Sequence, residues 1–213
     1  MTRAILYDYY RSSAAYRVRI ALNLKRVDYE RRVVNLLEGE QRSDAYRALN
    51  PQGLIPMLEI DGHKLTQSLA IINYLDLRYP NQPLIPSTAA DRAHVVAMAM
   101  TVACDIHPLN NLRVLKYLKG PLGHSQDEID LWYAHWVSEG LAALEIMARP
   151  EAGKFLMGDA PTGADVCLVP QLYNARRFNV PLHAYPTLLR ADENANNMEA
   201  FAAAHPDRQE VPA

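Results

Sequence analysis

The sequence predicts a small α/β domain followed by an all-helical domain. In the first part of the chain, short apolar runs that suit strands alternate with segments whose apolar residues recur every three or four positions. An Asp61-Gly62 pair between two such runs predicts a β-hairpin, because this dipeptide favours a two-residue turn. Beyond a proline-rich stretch that begins at Pro80, every periodic segment is helical. We therefore expect domains at 1–80 and 89–213, joined by a linker at 81–88.

The first domain has the expected order βαβαββα. Its last helix should end at the residue before Pro80, because proline cannot continue a helix. The expected elements are a strand at 4–8, a helix at 13–25, a strand at 29–34, a short helix at 43–49, a hairpin formed by 56–60 and 63–65, and a helix at 67–79.

The second domain is expected to contain only helices. A long helical segment runs from 91 to about 118 and is interrupted at Pro108. Thr162 and Asp165 have the spacing of a capping box, which opens a buried helix. The remaining expected helices cover about 126–148, 166–177 and 187–204.

Composition excludes several classes of function. The 213 residues are 49% hydrophobic and 22% charged, with a formal net charge of −2, which gives no sign of a nucleic-acid-binding surface. No apolar run approaches the ~20 residues that cross a bilayer, and the N-terminus lacks a secretion signal. Cys104 and Cys167 are the only cysteines, which fits a reducing cytoplasm and excludes a disulfide framework or a cysteine zinc site. We expect no metal site.

A polar turn, Arg11-Ser12-Ser13, separates the first strand from the first helix. The free N–H groups at a helix N-terminus, together with the helix dipole, stabilise an anion such as a phosphate, a carboxylate or a thiolate. The alternative is that Ser12 or Ser13 only caps the helix. These residues alone leave both interpretations open.

Pro56 begins the predicted hairpin. If the Ile55–Pro56 bond is cis, Ile55 turns its N–H and C=O outward, where an extended peptide could pair with them. The alternative is an ordinary trans proline at the start of a strand.

These segments together resemble the zeta class of glutathione transferases, which includes maleylacetoacetate isomerases. The resemblance covers nearly the whole chain, and its strongest motif is the run from Arg11 to Leu22. Further matches are Ala48-Leu49-Asn50-Pro51, Ile55-Pro56, Gln67 to Ile72, Asp105 to Leu112, and Ala164 to Gln171. The resemblance implies a thioredoxin-like first domain, the glutathione transferase fold, glutathione as cofactor and a homodimer.

The resemblance also implies a glutathione site in the first domain. Ser12 is expected to lower the pKa of the glutathione thiol, with Ser13 as a second donor or a glutathione contact. Gln67 and Ser68 are expected to hold the γ-glutamyl carboxylate at a helix N-terminus. Further glutathione contacts are expected from Gln41, from the Ile55 backbone with Pro56, and from His107 and Asn111. Ala14 stands where the family has a cysteine, and this change bears on side activities that use that cysteine.

A maleyl diacid needs cationic partners, and three arginines are candidates. Arg11 adjoins the serine turn, Arg113 follows His107 on a segment expected to line the substrate site, and Arg177 ends a buried helix. Guanidinium groups can bind carboxylates through two hydrogen bonds. We interpret Arg17 and Arg19 as structural.

The leading functional prediction is a glutathione-dependent cis–trans isomerase that converts maleylacetoacetate to fumarylacetoacetate in tyrosine breakdown. One alternative is maleylpyruvate isomerase of gentisate catabolism, which has the same mechanism and a shorter substrate. Another is a transferase or dehalogenase acting on small electrophilic acids, which would consume glutathione. A non-enzymatic binding protein on the same fold is the third alternative.

Overall fold

The computed structural model describes residues 3–211, which form two compact units. The first unit contains the described residues up to Pro83 together with those from Asn197 onward. The second unit is Leu84–Asn196.

The first unit is built on a four-stranded mixed sheet. Its strand order is β2-β1-β3-β4, with β1 and β2 parallel and the other neighbours antiparallel. The elements are β1 (Ala4–Asp8), α1 (Ser13–Leu24), β2 (Tyr29–Val33), a 3₁₀ turn (Glu40–Arg42), α2 (Asp44–Arg47), β3 (Met57–Ile60), β4 (His63–Thr66) and α3 (Ser68–Arg78). The predicted order βαβαββα is confirmed.

The sheet is covered by helices that bury their apolar faces. Leu6 of β1 lies opposite Leu58 of β3, and both side chains are fully buried. Ile20 of α1 and Ile71 of α3 are likewise fully buried. Helix α1 packs against α3, so both helices that start near the predicted glutathione residues rest on one core.

The C-terminal segment belongs to the first unit, which corrects the expected helical domain of 89–213. The expected single helix at 187–204 is two helices, α9 (Pro186–Asn196) and α10 (Glu199–Ala204), separated by extended Met198. Phe201 is fully buried, and the Asn23 side chain donates to the Ala200 carbonyl at 2.9 Å. Helix α10 therefore packs on α1, which a pattern of helical periodicity alone does not reveal.

A buried ion pair joins β1, α1 and the C-terminal segment. Arg19 and Asp8 are fully buried, and Arg19 Nη1 lies 2.7 Å from Asp8 Oδ1. Arg19 also donates to the Tyr10 carbonyl and to the Ala204 carbonyl, both at 3.0 Å. Arg31 pairs with the other Asp8 oxygen at 2.7 Å. Burial lowers the pKa of Arg19, and the Asp8 carboxylate opposes that shift.

The second unit consists of helices. They are α4 (Ala89–Met100), a π-helical turn (Thr101–Ile106), α5 (His107–Leu109), α6 (Leu112–Lys119), α7 (Gln126–Ala148), α8 (Gly163–Arg177) and α9. None of the helices in the described chain is long and apolar enough to span a membrane.

The helical segment after the linker breaks at Asn110 and Asn111, which corrects the predicted interruption at Pro108. Pro108 lies in the first turn of α5, where its missing N–H is tolerated. The preceding π-helical turn, Thr101–Ile106, widens the helix ahead of the proline. A Cβ at Gly140 of α7 would clash with Ile106, so α7 lies directly against this turn.

The predicted capping box at the start of α8 is present. Asp165 is fully buried and accepts hydrogen bonds from the Thr162 N–H at 2.8 Å and the Thr162 hydroxyl at 2.9 Å. It also accepts from the Leu156 N–H at 2.8 Å. Burial raises the pKa of Asp165 to about 6, although these hydrogen bonds oppose the shift. The helix begins at Gly163, three residues earlier than its apolar pattern indicates.

Replacing Arg19 tests the buried ion pair. Arg19→Met should lower the free energy of unfolding by about 3–5 kcal/mol, because the buried Asp8 carboxylate would lose one of its two cationic partners. Urea denaturation measures this difference. Arg208→Met is the matched control, because its pair with Glu199 at 3.6 Å is exposed and should be worth less than about 1 kcal/mol. Equal losses in the two variants would contradict this interpretation.

Candidate functional site

Ser12 caps helix α1 and still has a proton to donate. Its backbone is extended, with φ −70° and ψ 116°, and its Oγ accepts from the Ala15 N–H at 3.3 Å. The Ser12 N–H donates to the Tyr9 carbonyl at 2.9 Å, which closes the turn. A serine hydroxyl that accepts one hydrogen bond can donate another. The capping and the thiol-activating interpretations are therefore compatible in one residue.

The neighbours of Ser12 differ in exposure. Ser13 is the first residue of α1 and is buried, whereas Ser12 and Ala14 are half-buried. Arg11 is exposed, and its guanidinium lies 4.9 Å from the centre of the Tyr10 ring. Ser12 is thus the more accessible of the two hydroxyls.

The N-terminus of α3 has an added positive charge nearby. No side chain caps this helix, and Gln67 has φ 66° and ψ 115°, a conformation rarely adopted outside glycine. Arg17 is buried, and its Nη1 donates to Ser68 Oγ at 3.3 Å. Gln67 Nε2 donates to Gln52 Oε1 at 2.8 Å. The arrangement suits an anion, because the helix dipole and a buried guanidinium act together.

Arg17 and Gln52 are residues that the sequence analysis did not assign to the site. Arg17 follows Ser13 by four positions, so both side chains lie on one face of α1. The spacing of Ser13 and Arg17 is the feature of the sequence that could have indicated a place for Arg17 in the site. The sequence analysis interprets Arg17 as structural, and the structure places it against Ser68.

The Ile55–Pro56 peptide bond is cis, which decides between the two alternatives left open by the sequence. The preceding carbonyl, of Leu54, accepts from the Tyr46 hydroxyl at 2.8 Å and from Asn50 Nδ2 at 2.6 Å. Among residues 3–211, no backbone–backbone hydrogen bond involves Ile55. Its N–H and C=O can therefore pair with an extended ligand.

Gln41 and Ile55, two of the predicted glutathione residues, each pack against a neighbouring segment. Gln41 lies in the 3₁₀ turn, and a Cβ at Gly53 would come within 2.9 Å of its carbonyl oxygen. The Gln41 Oε1 atom is buried and has no hydrogen-bond partner in the described chain. Tyr9 and Ile55 belong to one apolar cluster, which holds the serine turn beside the segment before Pro56.

In the second unit, the α5–α6 junction brings three predicted residues together. Asn111 caps α6, since its Oδ1 accepts from the Arg113 N–H at 3.0 Å. Its Nδ2 lies 3.2 Å from His107 Nε2. Because an amide nitrogen can only donate, a hydrogen bond here requires the His107 tautomer whose Nε2 accepts. Arg113 is exposed.

Arg177 ends α8 with its charge accessible. It donates to Asn174 Oδ1 at 3.2 Å, and its guanidinium lies 5.7 Å from the centre of the Phe178 ring. Its neighbour Arg176 pairs with Asp192 at 2.6 Å and is structural. In the described part of the chain, the structure shows no salt bridge from Arg11, Arg113 or Arg177 to a carboxylate. Residues 3–211 also contain no group of side chains that could hold a metal ion.

Comparison with known proteins identifies the family of the chain. The family described as glutathione S-transferase, N-terminal domain, matches residues 6–83. The chain is 50% identical over 212 residues to a probable maleylacetoacetate isomerase of Vibrio cholerae, covering 98% of each chain. It is 44% identical to a maleylpyruvate isomerase of a Ralstonia species, covering 96% of this chain and 97% of the relative.

Solved structures similar to this chain belong to the same family. A holo maleylpyruvate isomerase, described as a bacterial zeta-class glutathione transferase, has a TM-score of 0.95 and 43% identity, covering 98% of this chain and all of that one. Maleylacetoacetate isomerase of Anaeromyxobacter dehalogenans with bound glutathione has a TM-score of 0.89 and 46% identity, covering 99% and 98%. The chain belongs to the glutathione transferase family, in the zeta class that contains maleylacetoacetate and maleylpyruvate isomerases.

Proposed function

We propose that the protein is a glutathione-dependent cis–trans isomerase that converts maleylacetoacetate to fumarylacetoacetate. The observation that carries this proposal is Ser12, which caps α1 while leaving its hydroxyl proton available beside the helix N-terminus. Glutathione is the cofactor and is regenerated in each turnover.

The first unit holds glutathione through complementary charge and backbone pairing. The γ-glutamyl carboxylate lies at the N-terminus of α3, bound by Gln67 and Ser68, with Arg17 behind Ser68. The cysteinyl backbone pairs with Ile55, beside Pro56. Gln41 contributes its buried Oε1, which can accept from an N–H of the tripeptide.

Ser12 then makes the thiol reactive near neutral pH. A free thiol is mostly protonated there, and a hydroxyl donor at a helix N-terminus lowers its pKa. Ser13, which is buried, supports the turn or contacts glutathione. The thiolate adds to one carbon of the cis double bond, and the electron pair moves into an adjacent carbonyl to give an enolate. The former double bond is now single and rotates, and loss of the thiolate re-forms it as trans.

The three accessible arginines suit a diacid substrate. We assign Arg11, Arg113 and Arg177 to its carboxylates. None of the three forms a salt bridge with an acid within the described residues. His107 and Asn111 bind glutathione or substrate by hydrogen bonding. The contact between His107 Nε2 and Asn111 Nδ2 at 3.2 Å is consistent with this binding role.

Maleylpyruvate is the second candidate substrate. The observation that favours it is the similarity to the holo maleylpyruvate isomerase, with a TM-score of 0.95. A transferase or dehalogenase acting on small electrophilic acids would instead consume glutathione. Ala14 stands where the resemblance implies a cysteine beside the two serines, so side activities that use that cysteine are disfavoured in this protein.

An ultraviolet assay of both maleyl substrates, with and without glutathione, tests the proposal. Wild-type protein should isomerise only when glutathione is present and without consuming it, and the ratio of kcat/KM values identifies the preferred substrate. Ser12→Ala should lower turnover by roughly two orders of magnitude, the scale for losing one key donor.

The control for that variant is Ser125→Ala, which removes an N-cap whose Oγ accepts at the same 3.3 Å. Both variants lose about 1 kcal/mol of stability, but only Ser12→Ala should lose activity. Near-normal turnover in Ser12→Ala would show that Ser12 does not activate the glutathione thiol.

Arg113→Ala and Arg177→Ala should each raise KM for the diacid by about tenfold or more, because each removes charge-assisted hydrogen bonds. KM for glutathione should stay close to the wild-type value. Arg176→Ala is the matched control on the same helix, since Arg176 is already paired with Asp192. A diacid KM that is unchanged in both variants would exclude these arginines from the site.

We also infer a cytoplasmic homodimer. The reducing environment suits two free cysteines, one of them exposed. Leu77 is 70% exposed and Met100 is 47% exposed, and a partner subunit would bury such apolar side chains. Light scattering should give twice the chain mass of 24.0 kDa, and a mass of one chain would contradict the dimer.

A further inference from the structure

Tyr133 on α7 has a buried hydroxyl that the fold does not use. The residue is 1% exposed, and its ring stacks on Phe178 with centroids 3.9 Å apart and planes 12° from parallel. Among residues 3–211, its hydroxyl has no hydrogen-bond partner. Leaving a buried donor unpaired opposes folding, so such a group calls for a functional explanation.

Two other aromatic groups of this unit with polar atoms do find partners within the fold. Trp132 donates its Nε1–H to the Leu109 carbonyl at 2.8 Å. Tyr185 donates its hydroxyl to the Ser138 carbonyl at 3.0 Å, on the same helix α7. The Tyr133 hydroxyl therefore differs from these two groups, and Trp136 Nε1 on the same helix is likewise without a partner among residues 3–211.

Tyr133 is adjacent to residues that contact both proposed ligand-binding parts of this unit, the segment with His107 and Asn111 and the end of α8 with Arg177. Trp132, the preceding residue, holds the segment that carries His107 and Asn111 through its bond to Leu109. Tyr133 packs on Phe178, the residue after Arg177. The positive charge of Arg177 opposes the increase that burial causes in the Tyr133 pKa. The phenol stays protonated at neutral pH and can act only as a neutral donor or acceptor.

We propose that the Tyr133 hydroxyl donates a hydrogen bond to the substrate carboxylate that Arg177 binds. This inference rests on the proposed function. Arg177 is exposed and supplies the charge, whereas Tyr133 is held rigidly by its stack on Phe178 and supplies direction. Because the Tyr133 hydroxyl is fixed, it favours substrates whose carboxylate lies at one position beside the Arg177 guanidinium. Tyr133 therefore determines specificity for the second acid group of the substrate.

Tyr133→Phe removes only the hydroxyl and keeps the aromatic stack. The variant should lose about tenfold or more in kcat/KM for the maleyl diacid, the scale of one hydrogen bond to a charged group, with KM for glutathione unchanged. Malonate is a small diacid that has no double bond to isomerise, so it measures binding alone. Calorimetric titration of malonate into glutathione-saturated protein should show a similar loss of affinity in the variant. The unfolding free energy should stay the same or rise, because an unpaired buried hydroxyl is removed.

Tyr185→Phe is the matched control, because its hydroxyl has a partner within the fold. It should lose stability while keeping kcat/KM and malonate affinity. Unchanged kcat/KM and malonate affinity in Tyr133→Phe would overturn the inference, as would a loss of stability equal to that of Tyr185→Phe. If wild-type protein binds malonate but shows no glutathione-dependent isomerisation, the proposed function is what fails.

Discussion

The buried pair of Asp8 and Arg19 is the central polar interaction of the first unit. Two fully buried charges are tolerated here because each has several partners: Arg19 reaches the Tyr10 and Ala204 carbonyls, and Asp8 also accepts from Arg31. The pair therefore connects the end of β1, the serine turn, α1 and the C-terminal segment. The turn that carries Ser12 is held by the interior of the unit and not by loop contacts alone.

This anchoring suits a serine that caps a helix and has the proposed role of activating a thiol. An N-cap must sit at a fixed place relative to the first helical N–H groups, and a thiol donor needs the same placement. In α1 the Ser12 oxygen accepts from Ala15 while its proton remains available. At α3 the proposed carboxylate site contains Gln67 in a rare backbone conformation and the buried Arg17. Both sites combine a helix N-terminus with one directed polar group.

Local patterns predicted the order of elements in the first unit, the hairpin and the capping box at Asp165. They could not predict features that depend on distant contacts. The packing of α10 on α1 needs a carbonyl at Ala204 to meet Arg19, and the role of Arg17 needs Ser68 to be its neighbour, 51 positions away. Likewise, only the structure separates Arg176, which pairs with Asp192, from Arg177.

In the proposed mechanism, the Ser12 turn lowers the pKa of the thiol of bound glutathione. Ultraviolet absorbance of the thiolate, followed against pH in the protein–glutathione complex, measures that pKa directly. Wild-type protein should hold it clearly below the value of about 8.5 for a free thiol, and Ser12→Ala should return it toward that value. A thiol pKa near the free value in wild-type protein, or an equal depression in both proteins, would contradict the account.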